Sequence, residues 1–207
     1  LAAIDEYTLD LLSIIIGSFA AYALGRLRFR GRTFMLYVVQ SMTMFPRISI
    51  LSGLYKIVRD LDIFGTQLAL VFSYPVFTLP FAVWVLTSFF RGLPREIEEA
   101  ALVDGATSMQ TFRLILLPLT APALVTTGLL AFITSWNEYL YALNFTVTAP
   151  DAQTVPVVIA QFSGTVSRQE PIAEIMAAAM VVTLPLVLLV LTAGVRPLTV
   201  LISVLLT

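Results

Sequence analysis

The chain has 207 residues, 58% of them apolar and only 12% charged, and its 12 basic and 13 acidic side chains leave a net charge of −1. The apolar share is above the soluble norm, and the charges cluster in loops between membrane-length runs, which predicts an all-α, polytopic transmembrane helical bundle. The runs are apolar on all sides, which excludes a membrane barrel; the charge balance argues against a nucleic-acid partner, and the lack of cysteine and histidine removes disulfides, thiolate metal sites and the usual base.

The N-terminus does not read as a signal peptide, because Asp5, Glu6 and Asp10 stand where a basic region belongs. A first span is expected over residues 9–24. Its small residues Gly17, Ser18, Ala20, Ala21 and Ala23 would let another helix approach closely. Arg26, Arg28, Arg30 and Arg32 around Gly31 form a solvated loop and mark the cytoplasmic side by the positive-inside rule.

The second span is expected over 33–54, kinked at Phe45-Pro46 because proline removes a backbone hydrogen bond. Arg47 follows directly; it either snorkels to the far face or meets a partner or cavity. Lys56 to Thr66 reads as an outer loop. The third span covers 67–90, with bends at Pro75 and Pro80.

The stretch 91–118 is a polar island between two apolar runs. Pro94 suits a first helical position, and Glu96, Glu98 and Glu99 sit near the positive end of that helix dipole. Gly105 is placed for a left-handed helix terminus. Thr107 and Gln110 read as a capping box that opens a second helix. Arg91, Arg95 and Arg113 bracket the segment, and after two crossings it falls on the same side as the first arginine loop.

The fourth span is expected over 119–143. Near its far end lies Trp136-Asn137-Glu138-Tyr139. A carboxylate at that depth needs water or a partner, whereas Trp and Tyr also suit an interfacial belt; pathway and belt both stand as readings. Residues 144–171 form a longer outer loop, in which Val155 to Phe162 is too short to cross. A fifth span over 172–191 carries Glu174 near its start, and a tail with Gly194, Arg196 and Pro197 leads into another apolar run.

The polar island has the spacing Glu-Ala-Ala, three residues, Gly, nine residues, Ile-x-Leu-Pro, filled by Glu99, Ala100, Ala101, Gly105, Ile115, Leu117 and Pro118. This resembles the cytoplasmic EAA loop of the permease subunits of binding-protein-dependent ABC importers. The Trp136-Asn137-Glu138 stretch resembles one common in the carbohydrate branch, the maltose/trehalose type. The resemblance covers roughly residues 13–191.

It implies one transmembrane permease domain, half of a translocation pathway for a sugar or oligosaccharide, in a bacterial or archaeal inner membrane. The implied partners are a second permease subunit, two ATPase subunits, an extracytoplasmic solute-binding protein and the lipid bilayer. This chain would bind no cofactor and would not be an enzyme; ATP and Mg would sit on the partner ATPase. Glu99, Ala100, Ala101, Asp104, Gly105, Ile115, Leu117 and Pro118 would couple to that ATPase. Trp136, Asn137, Glu138 and Tyr139 would line the substrate pathway.

Members of the family usually have six spans and a polar, basic tail. Five spans are read here, and residues 195–207 do not match such a tail.

The rival is a secondary transporter or channel working alone, which needs a charge relay or broken-helix repeats. Arg47, Glu138 and Glu174 are too scattered for that. A membrane enzyme would need paired carboxylates or a histidine, and no Walker-type loop is present for ATP.

Overall fold

The computed structural model describes residues 2–162 and 172–205, and every regular element among them is helical. In chain order these are α1 (Ala2–Gly25), α2 (Arg32–Thr43), α3 (Arg47–Asp60), α4 (Gln67–Ser73), α5 (Pro75–Gly92) and α6 (Glu96–Val103). There follow α7 (Ser108–Leu119), α8 (Ala121–Trp136), α9 (Leu140–Thr146), α10 (Val155–Phe162) and α11 (Ile172–Leu205).

Prolines set several of the breaks. The kink expected at Phe45-Pro46 is a full break between α2 and α3. Pro46 has no N–H to continue the ladder and disfavours helical geometry at Phe45. Met44 and Phe45 close the end of α2 by donating to Ser41 and Met42 carbonyls. Pro75 opens α5 at its first position, while Pro80 stays inside that helix, buried. Between α7 and α8 the axis turns by 71°. There Thr120 Oγ1 donates to the Leu116 and Leu117 carbonyls at 2.9 and 3.1 Å, adding a side-chain donor to the last turn of α7.

By length and composition, Gln67–Gly92 and Ile175–Thr192 are each sufficient to cross a membrane, and among the described residues up to four crossings result if α2 with α3 and α7 with α8 each count as one span. The helix α11 continues through Gly194 and Pro197 to Leu205, so the apolar tail is helical rather than a separate element. Residues 163–171, the end of the expected outer loop, lie outside the described residues.

The helices divide into two compact units. The first comprises Thr8–Pro46 and Tyr74–Ala131. Its spine is the pair α1 and α5. Thr78 Oγ1 donates to Ser13 Oγ at 3.3 Å. A Cβ added to Gly17 would lie 3.2 Å from Ala82 Cβ, and one added to Gly25 would lie 3.2 Å from Phe90 Cβ. These three pairs share one sequence offset of 65 residues, so the two helices run parallel and in register. Small residues every fourth position let the backbones close up, the usual device where lipid offers no hydrophobic driving force.

Parallel helices end on the same side, so the loops carrying Arg26–Arg32 and Arg91–Arg95 leave the same end of this unit. Beside that end Tyr22, Leu86, Phe90, Phe112 and Leu116 form a buried cluster. The Phe112 ring centroid stands 4.6 Å from that of Tyr22 and 5.1 Å from that of Phe19.

The second unit comprises the described parts of Leu1–Tyr7, Arg47–Ser73 and Phe132–Thr207. The short helix α9 is its centre, with Tyr141, Ala142 and Phe145 fully buried. Tyr141 Oη donates to the Arg47 carbonyl at 2.8 Å, and the Gly65 N–H donates to the Phe145 carbonyl at 2.9 Å. Gly65 has φ +78, a turn that a side chain would strain. The Arg59 guanidinium covers the Tyr55 and Phe64 rings at 5.3 and 5.0 Å.

Candidate functional site

The hairpin formed by α6 and α7 follows from its residues. Glu96, Glu98 and Glu99 occupy the first turn of α6, where carboxylates favour the positive dipole end. The helix ends in a Schellman motif: the Ala106 N–H donates to the Ala101 carbonyl at 2.9 Å and the Gly105 N–H to the Leu102 carbonyl at 3.1 Å. Gly105 has φ +83, the left-handed conformation this motif requires. Thr107 then caps α7. Its hydroxyl accepts from the Gln110 N–H at 3.3 Å, and Gln110 Oε1 accepts from the Thr107 N–H at 2.8 Å. The reciprocal pair satisfies two N–H groups that the helix start leaves unbonded.

The second helix of the hairpin is widened. Phe112–Leu116 form a π-helical turn, closed by the Leu117 N–H donating five residues back to Phe112. Pro118 explains it: proline has no N–H and crowds the carbonyl four residues earlier, and a wider turn relieves both.

The hairpin residues divide between an inner and an outer face. Ala101 is buried, and Ile115 and Leu117 are half-buried. Glu99, Ala100, Asp104, Gly105 and Pro118 are exposed. Leu102 and Val103 are exposed as well, at 55% and 87%, an apolar surface at the tip of a helix rimmed by carboxylates.

One anchor escaped the sequence reading. The carboxylate that ties α6 down is Glu98. Arg26 Nη1 lies 3.4 Å from Glu98 Oε2, and Arg26 Nη2 donates to the Leu93 carbonyl at 2.6 Å. Tyr22 Oη donates to Glu98 Oε1 at 3.4 Å. The partners are more than sixty residues apart, so no local pattern announces the contact. The only hint is that Tyr22 and Arg26 stand one helical turn apart.

The four residues of the expected pathway do not line one cavity. Glu138 is buried, and its carboxylate accepts from the backbone N–H groups of Tyr141 at 3.0 Å and Ala142 at 3.1 Å. It caps α9, which satisfies its charge without a solute. Asn137 is exposed, with Nδ2 donating to the Ile133 carbonyl at 2.7 Å. Trp136 and Asn137 line a cavity of about 350 Å³ with Pro156, Ile159, Val182 and Thr183. Tyr139 is 40% exposed and does not line that cavity. Among the described residues no cluster of three or more carboxylates is placed to hold a metal ion.

A helical bundle with membrane-length segments, bearing an exposed capped hairpin, defines a multi-pass membrane protein. Residues 13–198 match the family described as binding-protein-dependent transport system inner membrane component, and the chain belongs to that family.

Among its relatives, the trehalose transport system permease protein SugB of Mycobacterium tuberculosis (strain CDC 1551 / Oshkosh) is 42% identical over 87% of this chain and 65% of that protein. The trehalose/maltose transport system permease protein MalG of Thermococcus litoralis is 44% identical over 87% of this chain and 64% of its own length. The sulfoquinovosyl glycerol transport system permease protein SmoH of Agrobacterium fabrum is 36% identical over 86% and 62%. The chain thus spans slightly less than two thirds of these curated relatives.

Two solved structures share the fold. One is a bacterial ABC transporter involved in the import of the acidic polysaccharide alginate, with a TM-score of 0.64 and 22% identity over 94% of this chain and 75% of that one. The other is the MetNI methionine ABC transporter in inward-facing conformations, with a TM-score of 0.69 and 19% identity over 93% and 91%.

Proposed function

We propose that this chain is a membrane-spanning permease subunit of an ATP-driven importer for a sugar or oligosaccharide, in a bacterial or archaeal inner membrane. The observation that carries the reading is the α6–α7 hairpin, a Glu-Ala-Ala helix closed by a left-handed Gly105, in a chain of this family. The sugar assignment draws support from relatives named for trehalose, maltose and sulfoquinovosyl glycerol transport.

In this reading a solute-binding protein delivers the sugar, this chain and a second permease line the path, and two ATPase subunits hold ATP and Mg and do the hydrolysis. The chain itself is no enzyme. Exposed Glu99, Ala100, Asp104 and Gly105, with Leu102 and Val103 beside them, dock on the ATPase. Ala101, Ile115 and Leu117 hold the hairpin from inside. Trp136 and Asn137 face the solute. Alternating access is then a population shift biased by ATP and by the loaded binding protein.

The experiment is co-purification followed by reconstitution. The full-length protein should bring down an ATPase chain, and vesicles holding the complex should take up a labelled disaccharide only with ATP and binding protein. Glu99→Lys should weaken ATPase capture, with partial rescue by a reversed charge on the ATPase. Uptake by the chain alone, driven by an ion gradient, would establish the stand-alone transporter instead.

A further inference from the structure

We propose that the hollow at the end of the first unit, lined by Arg28, Arg30 and Arg32 and standing within the electrostatic reach of Arg91 and Arg95, is a binding site for the phosphate headgroup of an anionic phospholipid. Three observations converge on it. Residues 28–33 line an open cavity of about 460 Å³. The Arg32 guanidinium is held below its ordinary pKa, first by burial and then by the charges of Arg91, Arg95 and Arg28. Like charges have therefore been gathered rather than spread. Among the described residues, Glu98 forms its ion pair with Arg26 and not with these five arginines.

An anion bound among these arginines would relieve the repulsion. The surroundings indicate its source. Leu27 and Phe29 are exposed at 42% and 43%, and Phe34 at 72%. Apolar side chains flanking arginines that stand at the same end as the close of the membrane-length stretch Gln67–Gly92 belong at the bilayer surface, where acyl chain and headgroup are offered together. Basic pockets at this depth suit phospholipid phosphates, since each Lys or Arg near the surface adds to the attraction. A diffusible phosphate would satisfy the charge but would leave the apolar rim in water.

The test uses the full-length protein in its complex, embedded in phosphatidylcholine nanodiscs with or without phosphatidylglycerol, and reads retained phosphatidylglycerol by native mass spectrometry. Wild type should retain it, and retention should fall as salt rises. Arg28→Gln with Arg32→Gln should weaken retention by roughly thirtyfold, about fivefold for each charge removed. Arg28→Lys with Arg32→Lys should keep most of it, and Lys56→Gln, a positive charge removed from another helix, should change nothing. The lysine pair and the salt titration keep the proposal open to refutation even if the glutamine pair fails to insert.

Three outcomes would overturn the site. One is unchanged retention in an inserted glutamine pair, or retention by wild type that ignores salt. Another is displacement of the lipid by inorganic phosphate at matched concentration, which would make the ligand a free anion. The third is loss of a partner chain from the glutamine pair while the lipid stays bound, which would make the cluster a protein contact.

Discussion

The guanidinium of Arg26 lies 3.4 Å from the carboxylate of Glu98, so the end of α1 grips the first turn of α6 by charge. The same arginine donates to the Leu93 carbonyl, just before that turn. The proposed coupling role asks for a hairpin with a fixed base, and this contact joins it to the parallel α1–α5 pair. The Arg26 side chain is 4% exposed and that of Glu98 20%, so the pair is partly screened.

Glu98→Ala should therefore destabilise the complex by about 1–3 kcal/mol, because it strands a buried guanidinium. Arg26→Met should cost a similar amount by orphaning the Leu93 carbonyl. The double variant should lose less than the sum, since the two share one interaction. Thermal melts of the purified complex check this, and additive losses would show that the contact is incidental.

The topology is open to a direct check. The chain has no native cysteine, so introduced ones report without background. Cysteines at Gly31 and Gly92 should label from the same side of a sealed membrane, because they follow parallel helices. A cysteine at Thr66 should label from the opposite side. Accessibility of Thr66 from the side that reaches Gly31 would overturn the crossing count.

The roles of Glu138 and Asn137 can be separated by the size of the change. As the cap of α9, Glu138 needs only acceptor oxygen, so Glu138→Gln should insert, assemble and transport nearly as wild type. Glu138→Ala leaves two buried N–H groups without an acceptor and should destabilise by about 2–4 kcal/mol. Asn137→Ala should assemble normally and lower uptake, because Asn137 lines the cavity. Transport abolished by Glu138→Gln in an intact complex would return that carboxylate to the solute path.

Local chemistry was readable in the sequence, and long-range pairing was not. The turn at Gly105 and the box between Thr107 and Gln110 are written within a few residues and appear in the structure. The anchoring of Glu98 depends on which face of α6 meets Tyr22 and Arg26, more than seventy residues away in the chain. Glu138 was legible as a costly charge but not as a cap, because the start of α9 at Leu140 has no sequence marker. The small residues of α1 announced a close helix neighbour; their register against α5 is a property of the pair. The π-helical turn before Pro118 follows from the proline only once the helix is known to continue through it.

Gly105 is the position on which the proposed coupling role turns. A Cβ added there would meet nothing within 4 Å, so substitution creates no clash with a neighbour. The cost comes from the backbone alone: at φ +83 a side chain carries about 1 kcal/mol of strain, more when β-branched. Asparagine tolerates this region best after glycine, so coupling should decline in the order Gly, Asn, Ala, Val. Each variant should still insert and pair with the proposed second permease, because the residue lies at an exposed tip and not in a packed interface of this chain. What changes is the aim of α6, since relaxing φ breaks the bonds from Ala106 and Gly105 to the carbonyls of Ala101 and Leu102. The readout is ATP hydrolysis and sugar uptake measured together in reconstituted vesicles, with Gly105→Val expected to show weakened ATPase docking or hydrolysis without uptake. Full, coupled transport by Gly105→Val would reduce this hairpin to a connector and remove its role in driving the importer.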